Sequence, residues 1–245
     1  MGTTLTELRN AAERGDRESQ CKLGVVYFEG RHVPRDCHEA RNWFLRAADS
    51  TGYALGDPSA AAAQNNLGKM HEYGIGTGKN DTEAARWYSL AAENGNLEGM
   101  TALAGLYREG RGVAPNEADA DRWLTRAAEA GHAEAQCSIG RCRMKGLGCA
   151  RNEPEAMQWF RRAAQQGCCE AQAELGWAYY MGRLAPRDYA EAWKWLHLAA
   201  RQGSTFAGAA RDDVATYLTA PDRDRIACLA EEFTPTPESA APPAT

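Results

Sequence analysis

Residues 132–167 read HAEAQCSIGRCRMKGLGCARNEPEAMQWFRRAAQQG, and this stretch decides the fold. Its first part, His132 to Lys145, places Ala135, Ile139 and Met144 on one face at helical spacing. Gly146-Leu147-Gly148 then breaks the helix with conformationally permissive residues. Asn152 stands where an N-cap belongs, and Pro154 and Glu155 suit the first turn that follows. The second helix is expected to run to Gln166, with Ala156, Trp159, Phe160, Ala163 and Ala164 inward and Gly167 ending it. The unit is a helical hairpin, and a hairpin this short buries its apolar face only against neighbours of the same kind.

Those neighbours are present. Trp87, Trp123, Trp159 and Trp195 recur every 36 residues, as do Gly74, Gly110, Gly146 and Gly182 before the loop. The pairs Ala91-Ala92, Ala127-Ala128, Ala163-Ala164 and Ala199-Ala200 keep the same register, and so do Gly95, Gly131, Gly167 and Gly203. An earlier copy, marked by Gly30, Trp43 and Ala47-Ala48, lies 44 residues before the next; the extra eight fall near Ser50 to Asp57. A longer loop there costs little closure entropy. Ala11-Ala12, 36 residues before Ala47-Ala48, marks a lone second helix at the front. Within the first helices, Gly24, Gly68, Gly140 and Gly176 share one position, taken by Ala104 in the third copy. A mid-helix glycine costs about 1 kcal/mol, so its recurrence points to close approach of the paired helix, whose Ala-Ala step is equally small.

The expected fold is all-α: a right-handed superhelical α-solenoid of about five 36-residue hairpins with capping helices. It forms a single domain over residues 1–233, with a half-repeat at 4–15, full repeats over 16–203 and a C-terminal cap at 204–233. In that cap, Ser204 to Leu218 reads as a degenerate first helix and Asp222 to Phe233 as a short amphipathic one. The Pro-rich residues 234–245, TPTPESAAPPAT, are expected to be a disordered tail.

The pattern resembles the Sel1-like repeat (SLR) family, a relative of the tetratricopeptide repeat. Leu23-Gly24, Tyr27, Gly30, Val33, Asp36, Ala40, Trp43 and Ala47-Ala48 carry the likeness in the first repeat. Leu103, Tyr107, Gly110, Gly112, Val113, Ala120, Trp123 and Ala127-Ala128 carry it in the third, and Leu175-Gly176, Tyr179, Gly182, Asp188, Ala192 and Trp195 in the fifth. His71 and Arg143 depart from it at the tyrosine position, Ala104 at the helix glycine and Leu184 at the second loop glycine. The resemblance implies a non-enzymatic adaptor or scaffold that binds a protein or peptide in a concave groove lined by first helices. By analogy with tetratricopeptide grooves, Asn65, Lys69, Arg108, Arg141, Met144, Trp177 and Tyr180 fall on that side. Basic, amide and aromatic groups together suit a peptide with carboxylates and an apolar anchor. Lys69, Arg108 and Arg141 stand on successive first helices, so one extended ligand could reach all three. The alternatives are an enzyme of the cysteine-rich SLR type, which binds or hydrolyses β-lactams, and a regulatory or chaperone-like subunit of an envelope or secretion system. No serine has a lysine at the third following position, as a Ser-x-x-Lys site requires.

Composition narrows the chemistry. The 245 residues carry 28 Lys and Arg against 33 Asp and Glu, a net charge of −5 that does not advertise nucleic acid as partner. No run of 18 apolar residues exists to enter a membrane. Met1 to Thr6 fits a loose myristoylation pattern, but Thr4 and Glu7 have capping-box spacing, which reads as a helix start. Gly74 to Lys79 superficially resembles a phosphate loop, yet it falls on a hairpin loop with no strand before it. His32, His38, His71, His132 and His197 lack metal spacing, and no catalytic or cofactor residue is expected. The 8 cysteines include no CxxC. Cys21 and Cys137 share a repeat position, the other repeat-borne ones share none, and Cys21 and Cys37 stand at opposite ends of their hairpin. Free, mostly buried thiols in a cytoplasmic monomer are the expectation.

Overall fold

The computed structural model describes residues 4–49, 56–183 and 186–237, and among these every regular element is an α-helix. In chain order they are α1 (Leu5–Glu13), α2 (Arg17–Glu29), α3 (Cys37–Ala48), α4 (Pro58–Tyr73), α5 (Asp81–Glu93), α6 (Leu97–Glu109), α7 (Glu117–Glu129), α8 (Ala133–Lys145), α9 (Glu153–Gln165), α10 (Cys169–Met181), α11 (Tyr189–Arg201), α12 (Thr205–Ala215) and α13 (Ala220–Glu231). The pairs α2/α3, α4/α5, α6/α7, α8/α9 and α10/α11 are the five hairpins. Helix α1 is the lone leading second helix, and α12 and α13 form the cap.

Local chemistry sets the ends. Asp16, Asp57, Asn96 and Ser204 cap first helices by accepting a backbone N–H of the first turn. Gly30, Gly74, Gly110, Gly146 and Gly182 end the first helices in the left-handed conformation, φ 65–73°. Thr4 and Glu7 form the capping box, so the chain enters α1 as the spacing implied. Of the eight-residue insertion, 50–55 lie outside the described residues. Asp57 closes it by capping α4. Gly74 is the C-cap of α4, and the loop after it leads to the Asn80 cap of α5.

Contacts gather the chain into two compact lobes, residues 1–123 and 124–245. In the N-terminal lobe α1 packs on α2, α3 on α4 and α5 on α6, beside the contacts within each hairpin. In the C-terminal lobe α9 packs on α10, and α11 on both α12 and α13.

The helix glycines have a different neighbour from the one expected. A Cβ on Gly24 would lie 2.5 Å from the Phe44 ring, on Gly68 2.6 Å from Tyr88, on Gly140 2.9 Å from Phe160 and on Gly176 2.7 Å from Leu196. The paired helix does approach closely, but through the large residue that follows each tryptophan, not through the Ala-Ala step. Phe44, Tyr88, Phe160 and Leu196 are fully buried. The tryptophans sit in the seams: Trp43 meets Ala12 and Leu23, and Trp195 joins the cluster of Phe160 and Ala163 in the preceding repeat. Trp159, expected inward, is only half-buried, and the Arg162 guanidinium lies 4.3 Å over its ring.

A buried glutamine clasp joins repeats. The Gln172 side chain donates to the Ala164 carbonyl at 3.2 Å and accepts from Gln202 at 2.8 Å. Gln136 does the same with Ala128 and Gln166, and Gln64 with Ala48 and Asn94. Each clasp adds a side-chain donor to a carbonyl at the end of the preceding helix; those of Ala128 and Ala164 also accept the Gly131 and Gly167 N–H groups. Loops stack as tightly: a Cβ on Gly112 would lie 2.0 Å from the Asp81 carbonyl oxygen, and one on Gly76 2.7 Å from that of Cys37. At the other end of the chain, the Thr236 N–H donates to the Gln165 carbonyl at 3.2 Å, so residues up to 237 lie against α9. The rest of the expected tail, 238–245, lies outside the described residues.

Candidate partner-binding face

The positions one and four residues past the helix glycine, or past Ala104 in the third repeat, hold all of the expected face but Asn65. In the N-terminal lobe they are Val25 and Phe28 in the first repeat, Lys69 and Glu72 in the second, and Gly105 and Arg108 in the third. Lys69 Nζ lies 2.6 Å from Glu98, and buried Asn65 donates to the same carboxylate at 2.9 Å. Arg108 turns instead to Glu117 at the start of its own second helix, 3.6 Å away. In the C-terminal lobe Arg141 pairs with Glu170 at 2.8 Å, which repeats the Lys69–Glu98 geometry 72 residues on. The expected cations therefore hold carboxylates of their own chain.

Met144, Trp177 and Tyr180 are differently placed. Met144 and Trp177 line a pocket of about 410 Å³ between α8 and α10, floored by Ala178 and rimmed by Lys145, Arg151 and Arg183 with Glu153 and Glu174. Trp177 also packs against Phe206 (ring centroids 5.4 Å) and Tyr180 (5.5 Å). Tyr180 continues to Tyr217 at 6.2 Å, and Tyr217 stacks on Tyr189 at 4.4 Å. Burial, reinforced by the neighbouring Tyr217, pushes the Tyr180 hydroxyl above the usual phenol range, so it stays a neutral donor. Phe206 and Tyr217 are 53% and 56% exposed, so this aromatic patch meets water. The structure thus brings Asn65 and Lys69 together on Glu98, and Met144, Trp177 and Tyr180 together at one end of the C-terminal lobe.

Reading the sequence alone missed the rest of the patch: Tyr189, Phe206 and Tyr217, and the pocket rim. A signal for Phe206 was present. It stands 29 residues after Trp177, the spacing that separates Lys69 from Glu98 and Arg141 from Glu170. Among the described residues no three His, Cys, Asp or Glu side chains converge as metal ligands would. None of the described helices is long and apolar enough to cross a membrane.

Residues 17–51, 61–96, 97–132, 133–168 and 169–204 each match the Sel1 repeat. The chain belongs to the Sel1 repeat family. Sel1 repeat proteins generally mediate protein–protein interactions, and their scaffold is typically non-catalytic. Among curated proteins, the ERAD-associated E3 ubiquitin-protein ligase component HRD3B of Arabidopsis thaliana is 36% identical over 84 residues. That match covers 34% of this chain but only 13% of HRD3B. A sel1-like repeat-containing protein of Acanthamoeba polyphaga mimivirus, R815, is 47% identical over 45 residues, 18% of this chain and 8% of its own. The solved Sel1 repeat protein from Oxalobacter formigenes superposes with a TM-score of 0.74 at 27% identity, covering 98% of this chain and 90% of that one. The Escherichia coli protein c5321, a protective antigen of uropathogenic strains with an SLR fold, gives 0.56 at 29% identity over 93% and 55% of the two chains.

Proposed function

We propose that this Sel1 repeat chain is a non-catalytic adaptor that takes a protein or peptide partner on the first-helix face of its C-terminal lobe. The aromatic patch around Trp177 carries this reading. Five rings in mutual contact, two of them more than half exposed, are apolar surface that water covers poorly. Trp and Tyr are also the residues that dominate binding energy at interfaces. The adjoining Met144–Trp177 pocket would receive an apolar side chain. Lys145, Arg151 and Arg183 on its rim would favour carboxylates flanking that anchor. Lys69, Arg108 and Arg141 play the lesser part, because a partner's acidic group must displace Glu98, Glu117 or Glu170 to reach them.

The test is a Trp177→Ala, Phe206→Ala double substitution. A protein captured from the source cell by the parent chain is expected to bind the variant at least tenfold more weakly, about 1.4 kcal/mol or more, with unchanged helicity. Gln158→Ala, an exposed second-helix position, serves as the control and is expected to bind as the parent does. Equal binding by both variants overturns the reading.

A further inference from the structure

Lys145 is the last residue of α8, and Arg183 follows Gly182, the left-handed glycine that ends α10. Both line the Met144–Trp177 pocket. Arg183 has a counterpart 72 residues earlier, Arg111, which is locked by two carboxylates of the repeat before it. Glu72 lies 3.0 Å from Arg111 and Asp81 2.9 Å. The residues in those two places before Arg183 are Met144 and Glu153. Met144 carries no charge, and Glu153 is held by Arg151. Among the described residues neither Arg183 nor Lys145 has a carboxylate of its own chain to pair with. The position that closes a lock between the second and third repeats opens a pocket between the fourth and fifth.

The charge of that pocket matches a single anion. Lys145, Arg151 and Arg183 stand against Glu153 and Glu174, which leaves a net of one positive charge. A run of acidic residues would be repelled by Glu153 and Glu174. Half-buried Trp177 and Met144 form an apolar wall of the same cavity, with Ala178 beneath them. Cations and apolar wall together call for one carboxylate and one apolar side chain close to each other. The last residue of a protein carries both on its Cα, with a single N–H that Glu174 can accept. An internal residue has no carboxylate on its Cα, and its chain must leave the cavity in two directions.

Resting on the docking reading above, we propose that this pocket takes the carboxyl-terminal residue of the partner, a large apolar one. Its side chain lies on Trp177 and Met144, and its α-carboxylate takes the place beside Arg183 that Glu72 fills beside Arg111, with Lys145 as the second cation. The residues before it run over the Tyr180, Phe206 and Tyr217 rings, which continue from Trp177.

The experiment selects binders of the full-length chain from two libraries of random peptides, one displayed with a free carboxyl terminus and one embedded between flanking segments. Binders are expected from the free-terminus library, converging on Leu, Met or Phe as the last residue. Amidating the best of these peptides is expected to weaken its binding about tenfold by titration calorimetry. A Lys145→Ala, Arg183→Ala double substitution is expected to weaken the free acid by about the same factor and to leave the affinity of the amide unchanged, which assigns both cations to the carboxylate. Met144→Glu, which copies the Glu72 lock, is expected to act as the double substitution does, with helicity unchanged. Equal affinity for acid and amide, an amidation effect that survives loss of both cations, or no binder from the free-terminus library overturns the proposal. So does N-acetyl-leucine binding as tightly as the selected peptide, since the site would then be one for a small carboxylate. Embedded peptides that bind the parent but not Trp177→Ala, Phe206→Ala would overturn the terminal proposal and leave the docking reading standing; binders indifferent to that double substitution overturn both.

Discussion

The second repeat, in the N-terminal lobe, and the fifth, in the C-terminal lobe, use the same repeat positions for opposite chemistry. One residue past the helix glycine and its partner 29 residues on are Lys69 and Glu98 in the second repeat, but Trp177 and Phe206 in the fifth. The first pair is an ion pair in water, which aligns neighbouring helices and contributes little energy. The second leaves rings exposed that a partner can cover. Arg141 and Glu170 keep the ionic form within the C-terminal lobe itself, so the change occurs within one repeat. The repeat fixes where a side chain stands; the side chain alone decides whether the position holds the scaffold together or offers a surface.

The scaffold half of that comparison breaks first if Phe44 and Phe160 prove unlike. Each lies over a helix glycine of its own lobe and is fully buried, so Phe44→Ala and Phe160→Ala are each expected to cost roughly 3–5 kcal/mol in urea unfolding. A large loss from only one would mean that the two lobes do not share one packing rule. The surface half rests on affinity. Trp177→Ala alone is expected to cost the partner about 2 kcal/mol, and Lys69→Ala less than about 0.5 kcal/mol, by titration calorimetry. The reverse ranking would move the binding face to the ionic positions.

A subtler contrast concerns pH. His71 takes the place of Tyr27, Tyr107 and Tyr179, and burial, with Arg41 nearby, lowers its pKa below the ordinary 6.5. Its Nδ1 is buried without a hydrogen-bond partner among the described residues. Below pH 6.5 the unfolded chain takes up the proton before the folded one does, so stability falls as the pH drops. His197, stacked on Trp193 in the C-terminal lobe, has the same sign from burial and Arg211. Melting temperature is therefore expected to decline from about pH 7 to about pH 5, and His71→Tyr to remove part of that decline. An unchanged slope would mean that His71 is solvated. Smallest of all, Lys69→Ala and Arg141→Ala are each expected to change stability by no more than about 1 kcal/mol, less at high salt, in thermal melts.

What the sequence disclosed follows the same division. Helix ends were legible because caps and left-handed glycines are local demands of the backbone, and the 36-residue register fixed every hairpin. The tryptophans were over-read. Recurrence identifies a position, not its burial, and the seam position keeps one residue type while the core position varies through Phe44, Tyr88, Leu124, Phe160 and Leu196. The candidate face was legible residue by residue, but its partners were not. Glu98, Glu170 and Phe206 sit on the first turn of the next first helix, and the recurring Trp, Gly and Ala did not mark them; only the shared 29-residue spacing did. Gln20, Gln64, Gln136 and Gln172, each four residues before the helix glycine, were legible in hindsight as a shared position. What they clasp is a carbonyl of the preceding helix, eight residues back for Gln20, Gln136 and Gln172 and 16 for Gln64, and so outside any helical pattern.

The Gln64 clasp spans 16 residues where Gln136 and Gln172 span eight, yet closes on the same kind of carbonyl. The joint between one hairpin and the next therefore measures end points, not contour length, and the first such joint has already accepted a cargo of eight residues. The turns inside the second and third hairpins have no such slack, since Gly76 and Gly112 are pressed against the backbone of the preceding repeat. A protein engineer wishing to graft an affinity tag or a fluorophore-bearing segment into this chain has a port between hairpins and a wall within them.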